Sequence, residues 1–108
     1  MLKSKQDLDS LTVFLEGELD HCSAKETRLE MDTLISKPHI RHLILDMAAL
    51  QFMDSSGIGV ILGRYRVLHS RGGTVSVMNM NPQIARIFQL SGMARIIPVL
   101  ADKKEASL

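Results

Sequence analysis

The chain has 108 residues, of which 45% are hydrophobic and 23% are charged, a composition typical of one globular domain and not of a disordered segment. Its formal net charge is +1 and its basic residues are scattered along the sequence, which argues against a protein that binds nucleic acid or a membrane surface. The single Cys22 excludes an internal disulfide, and neither a signal peptide nor an apolar run of roughly 20 residues is present, so we expect a cytoplasmic protein.

The N-terminal part of the chain predicts two strands and then a helix. Residues 11–16 (LTVFLE) have strand character, and a weaker strand precedes them at residues 2–8. Residues 17–21 (GELDH) are expected to form a loop. Ser23 and Glu26 have the spacing of a capping box, in which each side chain satisfies the other's free backbone N–H, so a helix should start there.

The middle of the chain predicts a central strand followed by a second helix. Pro38 should stop the first helix, and residues 41–48 (RHLILDMA) contain three adjacent apolar residues, which favours a strand covered on both faces. The second helix is expected from residue 57 onward and should end at the glycines at 72–73. Its apolar residues Ile58, Ile61, Leu62 and Tyr65 have the i, i+3, i+4, i+7 spacing of a helix.

The C-terminal third predicts one more strand, a third helix and a short last strand. Residues 73–80 alternate as a strand does, and Asn81 offers a helix N-cap with Pro82 at the first helical position. Residues 95–100 (RIIPVL) should form a strand at a sheet edge, because their proline cannot donate to a ladder. The polar residues 101–108 should fray or add one short helical turn.

This order of elements predicts an α/β fold in which residues 1–108 form a single domain. We expect a mixed, largely parallel sheet of four to five strands packed with three to four helices. Such folds place ligand or partner sites at the carboxyl ends of their strands. Residues 54–57 (DSSG) occupy one of those ends.

The two adjacent serines in this stretch allow two interpretations. Ser55 or Ser56 stands where a helix begins, and serine is among the best N-caps, so either hydroxyl can serve as a simple helix cap. A helix N-terminus also favours an anion, so a phosphate on a serine at this position need not unfold the protein. It would instead add about −1.5 to −2 charges beside Asp54 and repel a docked partner.

Catalytic and cofactor-binding interpretations have less support. The sequence DSSG lacks the G-x-S-x-G pattern of a serine nucleophile. His39 and His42 are three residues apart without nearby cysteine or acidic ligands, which does not build a metal site. Gly57 and Gly59 form a lone G-x-G without the longer dinucleotide or P-loop pattern. We therefore expect no catalytic residue, no metal and no cofactor.

The presence of two glycines inside the second predicted helix requires an explanation. Gly59 and Gly63 lie four apart and make one stripe of the helix smooth. They would allow either close packing of the helix on the sheet or an exposed flat contact surface, since glycine in a helix costs roughly 1 kcal/mol relative to alanine. An exposed smooth patch beside a modifiable serine would form a switchable interface.

Three segments of the sequence together resemble one known family. The block FMDSSGIGVILGRY (residues 52–65), the GELDH stretch (residues 17–21) and the late FQLSGMARII (residues 88–97) are similar to the STAS-domain anti-sigma factor antagonists, in particular to those of spore-forming bacteria. The resemblance covers almost the whole chain, and the block around DSSG is its most specific part.

The resemblance implies a partner-switching protein without catalytic residues of its own. The unphosphorylated form is expected to bind a dimeric, ATP/ADP-bound anti-sigma factor that is also a serine kinase, and so to free the forespore sigma factor. Phosphorylation of Ser55, which matches the family's acceptor, would abolish binding, and a serine phosphatase would restore it. Asp20 matches the acid of the family's kinase-recognition loop. The implied partner-binding residues are Asp20, Asp54, Ser56, Gly57, Ile58 and Gly59.

Two other classes of function stay open at this point. A small-ligand or nucleotide-binding module could use the helix N-terminus after Asp54 as an anion site. A phosphoryl-handling enzyme could use Asp54 as the acceptor of an acyl phosphate. Chemistry alone also leaves Ser55 and Ser56 equally possible as phosphate acceptors.

Overall fold

A four-stranded sheet in the order β1-β2-β3-β4 is the frame of the computed structural model, which describes residues 2–100. The strands are β1 (Lys3–Asp7), β2 (Ser10–Leu19), β3 (His42–Met53) and β4 (Thr74–Met78). The helices are α1 (Ala24–Ile35), α2 (Ser55–Ser70), α3 (Pro82–Leu90) and a short 3₁₀ helix (Met93–Arg95). The expectations for residues 101–108 lie outside the described residues.

The strand pairings confirm the predicted mixed, largely parallel sheet. β1 pairs antiparallel with β2, whereas β2 with β3 and β3 with β4 are parallel. β3, the predicted central strand, lies between two partners. Right-handed crossovers from β2 to β3 and from β3 to β4 place α1 and α2 on the same face of the sheet. All three α-helices contribute to one hydrophobic core on that face.

The core follows the two-residue period of β3. Leu43, Leu45 and Met47 are fully buried, while Ile44 and Asp46 on the opposite face are half-buried. Only one face of β3 is therefore covered by helices, which corrects the expectation of a strand covered on both faces. Three adjacent apolar residues suggested double coverage because Ile44 is apolar although it points away from the helices.

The predicted loop at residues 17–21 is wrong in its first half. β2 continues through Leu19 in parallel pairing with β3, with register shifts on either side of Gly17. Gly17 has φ +73, a conformation that side chains other than glycine's rarely adopt. An irregular strand that bends at a glycine therefore replaces most of the expected loop, and only the residues after Leu19 leave the sheet.

The capping box predicted for α1 does not form. Ser23 occupies the N-cap position of this helix, but its backbone is helical and its side chain makes no capping hydrogen bond. The Ser23 hydroxyl instead donates to the Glu18 carbonyl oxygen at 2.8 Å and accepts the Asp20 N–H at 3.1 Å. These bonds fold the loop before the helix, which the spacing rule does not anticipate.

Helix α2 forms as predicted, but it buries only part of the apolar stripe on which the prediction was based. Its buried residues are Gly57, Val60, Ile61, Arg64 and Leu68. Ile58, Leu62 and Tyr65 of that stripe are only partly buried. The helix is rotated so that Gly57, and not Ile58, meets the sheet. The reason is space, since a Cβ on Gly57 would contact Met53 Cγ and lie 2.7 Å from the Leu19 carbonyl oxygen.

An ion pair joins α1 to α2 inside this rotated interface. Arg64 is buried, and its Nε lies 3.1 Å from Asp32 Oδ1 on α1. Burial lowers the pKa of the Arg64 guanidinium, and the Asp32 carboxylate opposes that effect. The buried charge thus has an opposite charge beside it, which removes part of the cost of desolvation.

The prediction for the C-terminal part of the chain is confirmed at α3 and is wrong in part after it. Asn81 caps α3 by accepting the Ile84 N–H at 2.9 Å, with Pro82 next to it as predicted. Residues 95–100 do not form a full strand. Val99 makes one isolated parallel bridge with Val77 at the outer edge of β4, so the predicted edge position is confirmed. Within residues 2–100, no helix has the length and apolar character needed to cross a membrane.

Gly57→Ala and Gly59→Ala form a matched pair that tests how α2 sits on the sheet. Gly57→Ala should lower the free energy of unfolding by about 1–3 kcal/mol, because the added methyl group meets backbone and side chain atoms. Gly59→Ala should raise it by up to about 1 kcal/mol, because nothing lies within 4 Å of its Cβ position and alanine favours the helix. Urea denaturation measures both, and equal stabilities of the two variants would contradict this packing.

Candidate functional site

The carboxyl ends of β2 and β3 bring two segments of the sequence together. Asp54 follows β3, and its N–H donates to the Leu19 carbonyl oxygen at 3.3 Å. The His21 N–H, just after β2, donates to Asp54 Oδ2 at 3.2 Å. The loop that contains Asp20 therefore lies against the start of α2, although more than 30 residues separate the two in the sequence.

Asp54, and not a serine, is the N-cap of α2. Its backbone is extended, and its Oδ1 accepts the N–H groups of Ser56 at 2.8 Å and Gly57 at 3.3 Å. This corrects the interpretation of Ser55 or Ser56 as the cap. Aspartate caps helices as well as serine does, so the residue types alone did not distinguish Asp54 from the serines that follow it.

Ser55 is the first residue of α2 and is exposed, whereas Ser56 is half-buried. Among residues 2–100, no group makes a hydrogen bond to the Ser55 hydroxyl. Because Asp54 already performs the capping function, the Ser55 hydroxyl is not needed to satisfy the helix end. A hydroxyl that is exposed and structurally unused is available for chemical modification.

The Asp54 cap also occupies the backbone N–H groups that an anion-binding site at this helix end would use. The Ser56 and Gly57 N–H groups, which a bound phosphate would need, already donate to the Asp54 carboxylate. Both oxygens of that carboxylate also accept backbone N–H groups, which engages the atoms that an acyl phosphate acceptor would use. The geometry thus favours neither the nucleotide-binding nor the phosphoryl-enzyme interpretation.

Asp20 organises the loop beside this helix end. Its Oδ1 accepts the N–H groups of Cys22 at 3.0 Å and Ser23 at 3.1 Å. The hydrogen bond from the Ser23 N–H is the main cause that lowers the pKa of the Asp20 carboxyl, and the bond from Cys22 acts in the same direction. Asp20 therefore acts as a turn former and keeps a negative charge near the start of α2.

Glycines on α2 divide the helix into a packed and an open side. Gly57 is buried between Leu19 and Met53, so it seats the helix and offers no exposed surface. A Cβ on Gly59 or Gly63 would have nothing within 4 Å. Of the two explanations that the sequence allowed for these last two glycines, the structure fits the open contact surface and not close packing on the sheet.

The histidines considered as metal ligands lie away from this site. His42 is at the start of β3, with Nδ1 2.8 Å from the Thr74 hydroxyl and Nε2 3.6 Å from Asp9 Oδ2. His39 Nε2 lies 2.8 Å from Gln6 Nε2. In the described part of the chain, no group of three or more histidine, cysteine, aspartate or glutamate side chains could hold a metal ion.

Comparison with known proteins identifies the family. Residues 1–106 match the STAS domain family, so the chain belongs to this family. It is 42% identical over 96 residues, which are 89% of this chain and 82% of the relative, to the anti-sigma F factor antagonist of Paenibacillus polymyxa. The class of protein that fold and relatives define is therefore the STAS-domain anti-sigma factor antagonist.

Two solved structures support this assignment. The unphosphorylated form of the anti-sigma factor antagonist SpoIIAA, the stage II sporulation protein AA, has a TM-score of 0.81 and 31% identity, covering 98% of this chain and 92% of that one. The phosphorylated form of the Bacillus cell fate determinant SpoIIAA has a TM-score of 0.74 at the same identity, covering 98% of this chain and 96% of that one. The similarity to the antagonists of spore-forming bacteria that the sequence indicated is confirmed.

Removing the cap should weaken both the helix end and its link to the neighbouring loop. Asp54→Ala should lower the free energy of unfolding by about 1–2 kcal/mol and shift the His21 amide resonance, because both carboxylate oxygens are lost. Asn81→Ala removes the cap of α3 and should cost a similar amount without moving the His21 resonance. Denaturation and amide NMR of both variants measure this, and an unshifted His21 amide in Asp54→Ala would contradict the link.

The Asp20 carboxyl should titrate below the ordinary aspartate pKa of about 3.9. Because the folded-state pKa is lowered, the stabilisation from its hydrogen bonds is present above the unfolded pKa and is lost as pH falls through the folded one. Carbon-detected NMR of the carboxyl, together with the Cys22 and Ser23 amides, measures this midpoint. Those amide shifts should disappear in Asp20→Asn, and a midpoint at or above the ordinary value would contradict the assignment.

Proposed function

We propose that the chain is a sporulation anti-sigma factor antagonist controlled by phosphorylation of Ser55. Unphosphorylated, it binds an anti-sigma factor that is also a dimeric, ATP/ADP-bound serine kinase, and so releases the forespore sigma factor. Phosphorylation of Ser55 abolishes this binding, and a serine phosphatase reverses it. The chain acts in the cytoplasm and contacts neither nucleic acid nor membrane.

One observation carries this proposal: an exposed serine without a structural role stands at the start of the helix that presents an open face. Ser55 precedes Gly59 and Gly63 on α2, and both glycines leave backbone accessible for close approach. The similarity to SpoIIAA, of which a phosphorylated form is known, supports the choice of modification. The hydroxyl that a kinase would modify is thus next to the surface that a partner would cover.

The phosphate would act by charge and not by refolding. A phosphoserine adds about −1.5 to −2 charges and three acceptor oxygens. At Ser55 it would stand beside the Asp54 carboxylate, with the Asp20 loop linked to the same helix end. The backbone donors nearest to it are already bonded to Asp54, so the new charge would face outward toward the partner. Desolvating that charge in an interface would weaken binding.

Partner binding is proposed to involve the surface around this charge. The half-buried residues Asp20, Asp54, Ser56 and Ile58 and the exposed Gly59 lie at or beside the start of α2, so they border Ser55. Gly57, the remaining candidate, would act indirectly, because it fixes the position of the helix on the sheet. A partner would therefore contact one loop and one helix face whose relative positions are fixed.

Intact-mass spectrometry with the cognate anti-sigma kinase and Mg-ATP tests the proposal. The unmodified chain and Ser56→Ala should each gain the mass of one phosphate, while Ser55→Ala should gain none. In a binding assay, Ser55→Ala should bind the anti-sigma factor persistently, and Ser55→Asp should bind roughly tenfold more weakly or worse, because a charge enters the interface. Ser56→Asp serves as the control for a charge one residue away.

Two results would contradict the proposal. The first is the absence of phosphate on every sample with a kinase that modifies another substrate, which would leave Ser55 as an unmodified surface residue. The second is equal binding of Ser55→Ala and Ser55→Asp, which would remove the charge mechanism. Saturable binding of ATP or GTP to the isolated chain in a calorimetric titration would instead support the ligand-binding alternative.

A further inference from the structure

Strand β1 is an edge of the sheet with unused backbone hydrogen-bonding groups. Every residue of Lys3–Asp7 is exposed, and β2 is the only strand that pairs with it in the described part of the chain. The Leu2 N–H points away from β2 and donates to Glu30 Oε2 at 2.6 Å. In an antiparallel pair, backbone groups alternate between the partner and the opposite side, so Ser4 and Gln6 present theirs to the open edge.

A groove runs between this edge and helix α1. It has a volume of about 580 Å³ and is lined by Leu2, Ser4, Glu30, Thr33 and Leu34. Ser4 is opposite the buried Val13 of β2, so both side chains point toward the helices. The small serine side chain leaves space there that a larger apolar residue would fill. The core is therefore incomplete beside the open backbone edge.

The other face of β1 carries two lysines and one acid, Lys3, Lys5 and Asp7. Lys3 is opposite Phe14 and Lys5 is opposite Thr12, on the side of the sheet away from the helices. Among residues 2–100, neither lysine lies within ion-pair distance of a carboxylate. An added strand would thus meet an apolar groove with one set of alternate side chains and two unpaired positive charges with the other set.

We propose that the β1 edge binds an extended acidic peptide segment of another protein, which adds to the sheet as a further strand. The segment bonds to the backbone of Ser4 and Gln6 and places an apolar side chain in the groove beside Leu2 and Leu34. Its acidic side chains, at the alternate positions, lie next to Lys3 and Lys5. Main-chain bonds supply the affinity, and the groove and the lysines supply the specificity.

A second copy of the chain would fill this edge less completely than such a segment. Antiparallel pairing of two β1 strands through Ser4 and Gln6 would set Lys3 opposite Asp7 but Lys5 opposite Lys5, and like charges directly opposite are destabilising. It would also bring only Ser4 and Gln6, both polar, to the apolar groove. The edge is separated from β3 and Ser55 by β2, so the site is distinct from the phosphorylation switch.

Amide NMR of the full chain with two synthetic heptapeptides tests this inference. One peptide alternates glutamate with valine, and the other alternates lysine with valine. The glutamate peptide should shift the Ser4 and Gln6 amides and slow their exchange with solvent, and it should bind at least tenfold more tightly than the lysine peptide. The double variant Lys3→Glu/Lys5→Glu should reverse this preference. Ser4→Pro, which removes one edge donor, should abolish binding with the remaining spectrum unchanged.

Three outcomes would overturn the inference. Equal affinity for the two peptides would show that the lysines do not select the ligand. Shifts confined to α2, with β1 unmoved, would place any binding elsewhere. Concentration-dependent shifts of the β1 amides without peptide, accompanied by dimerisation in sedimentation, would assign the edge to a second copy of the chain.

Discussion

The Asp54 carboxylate is the interaction on which the geometry of the site depends. One oxygen accepts two N–H groups of the first turn of α2, and the other accepts the His21 N–H from the loop after β2. A single side chain therefore fixes the helix that carries Ser55 and the loop that carries Asp20 relative to each other. Because Asp54 satisfies the helix end, no serine hydroxyl is required for capping, and Ser55 can change its chemical state without loss of a structural bond.

The Asp54 cap also determines whether the helix end would stabilise a phosphate on Ser55. An anion at a helix N-terminus is usually stabilised by free N–H groups and by the helix dipole. Here an aspartate occupies those donors, so a phosphate on the neighbouring serine would find negative charge where a free helix end would offer positive potential. The fold gains little from such a phosphate, and its main consequence falls on whatever molecule covers the surface. The proposed phosphorylation of Ser55 would therefore change binding and leave the domain intact.

The sequence predicted the fold well where local signals and tertiary packing agree, as in the cap formed by Asn81 and Pro82 and in the central position of β3. The prediction from sequence failed where the room available in the folded protein determines the structure. The rotation of α2 follows from the lack of room for a side chain at Gly57 between two strand ends, and the periodicity of Ile58 and its neighbours, which predicted only a helix, contains no such information. The bond from His21 to Asp54 spans 33 residues, so no local pattern could reveal it.

The glycines of α2 show how the same residue serves packing and recognition on one helix. Gly57 is small because the sheet lies directly against it, and a larger residue there would displace the helix that carries Ser55. Gly59 lies two residues later, on the open side, where nothing in the described structure limits the size of its side chain. Since glycine weakens a helix, its presence at a position that nothing in the described structure constrains agrees with the proposed contact of a partner. The proposed partner, approaching the backbone closely next to Ser55, would account both for this glycine and for the exposed, unbonded hydroxyl.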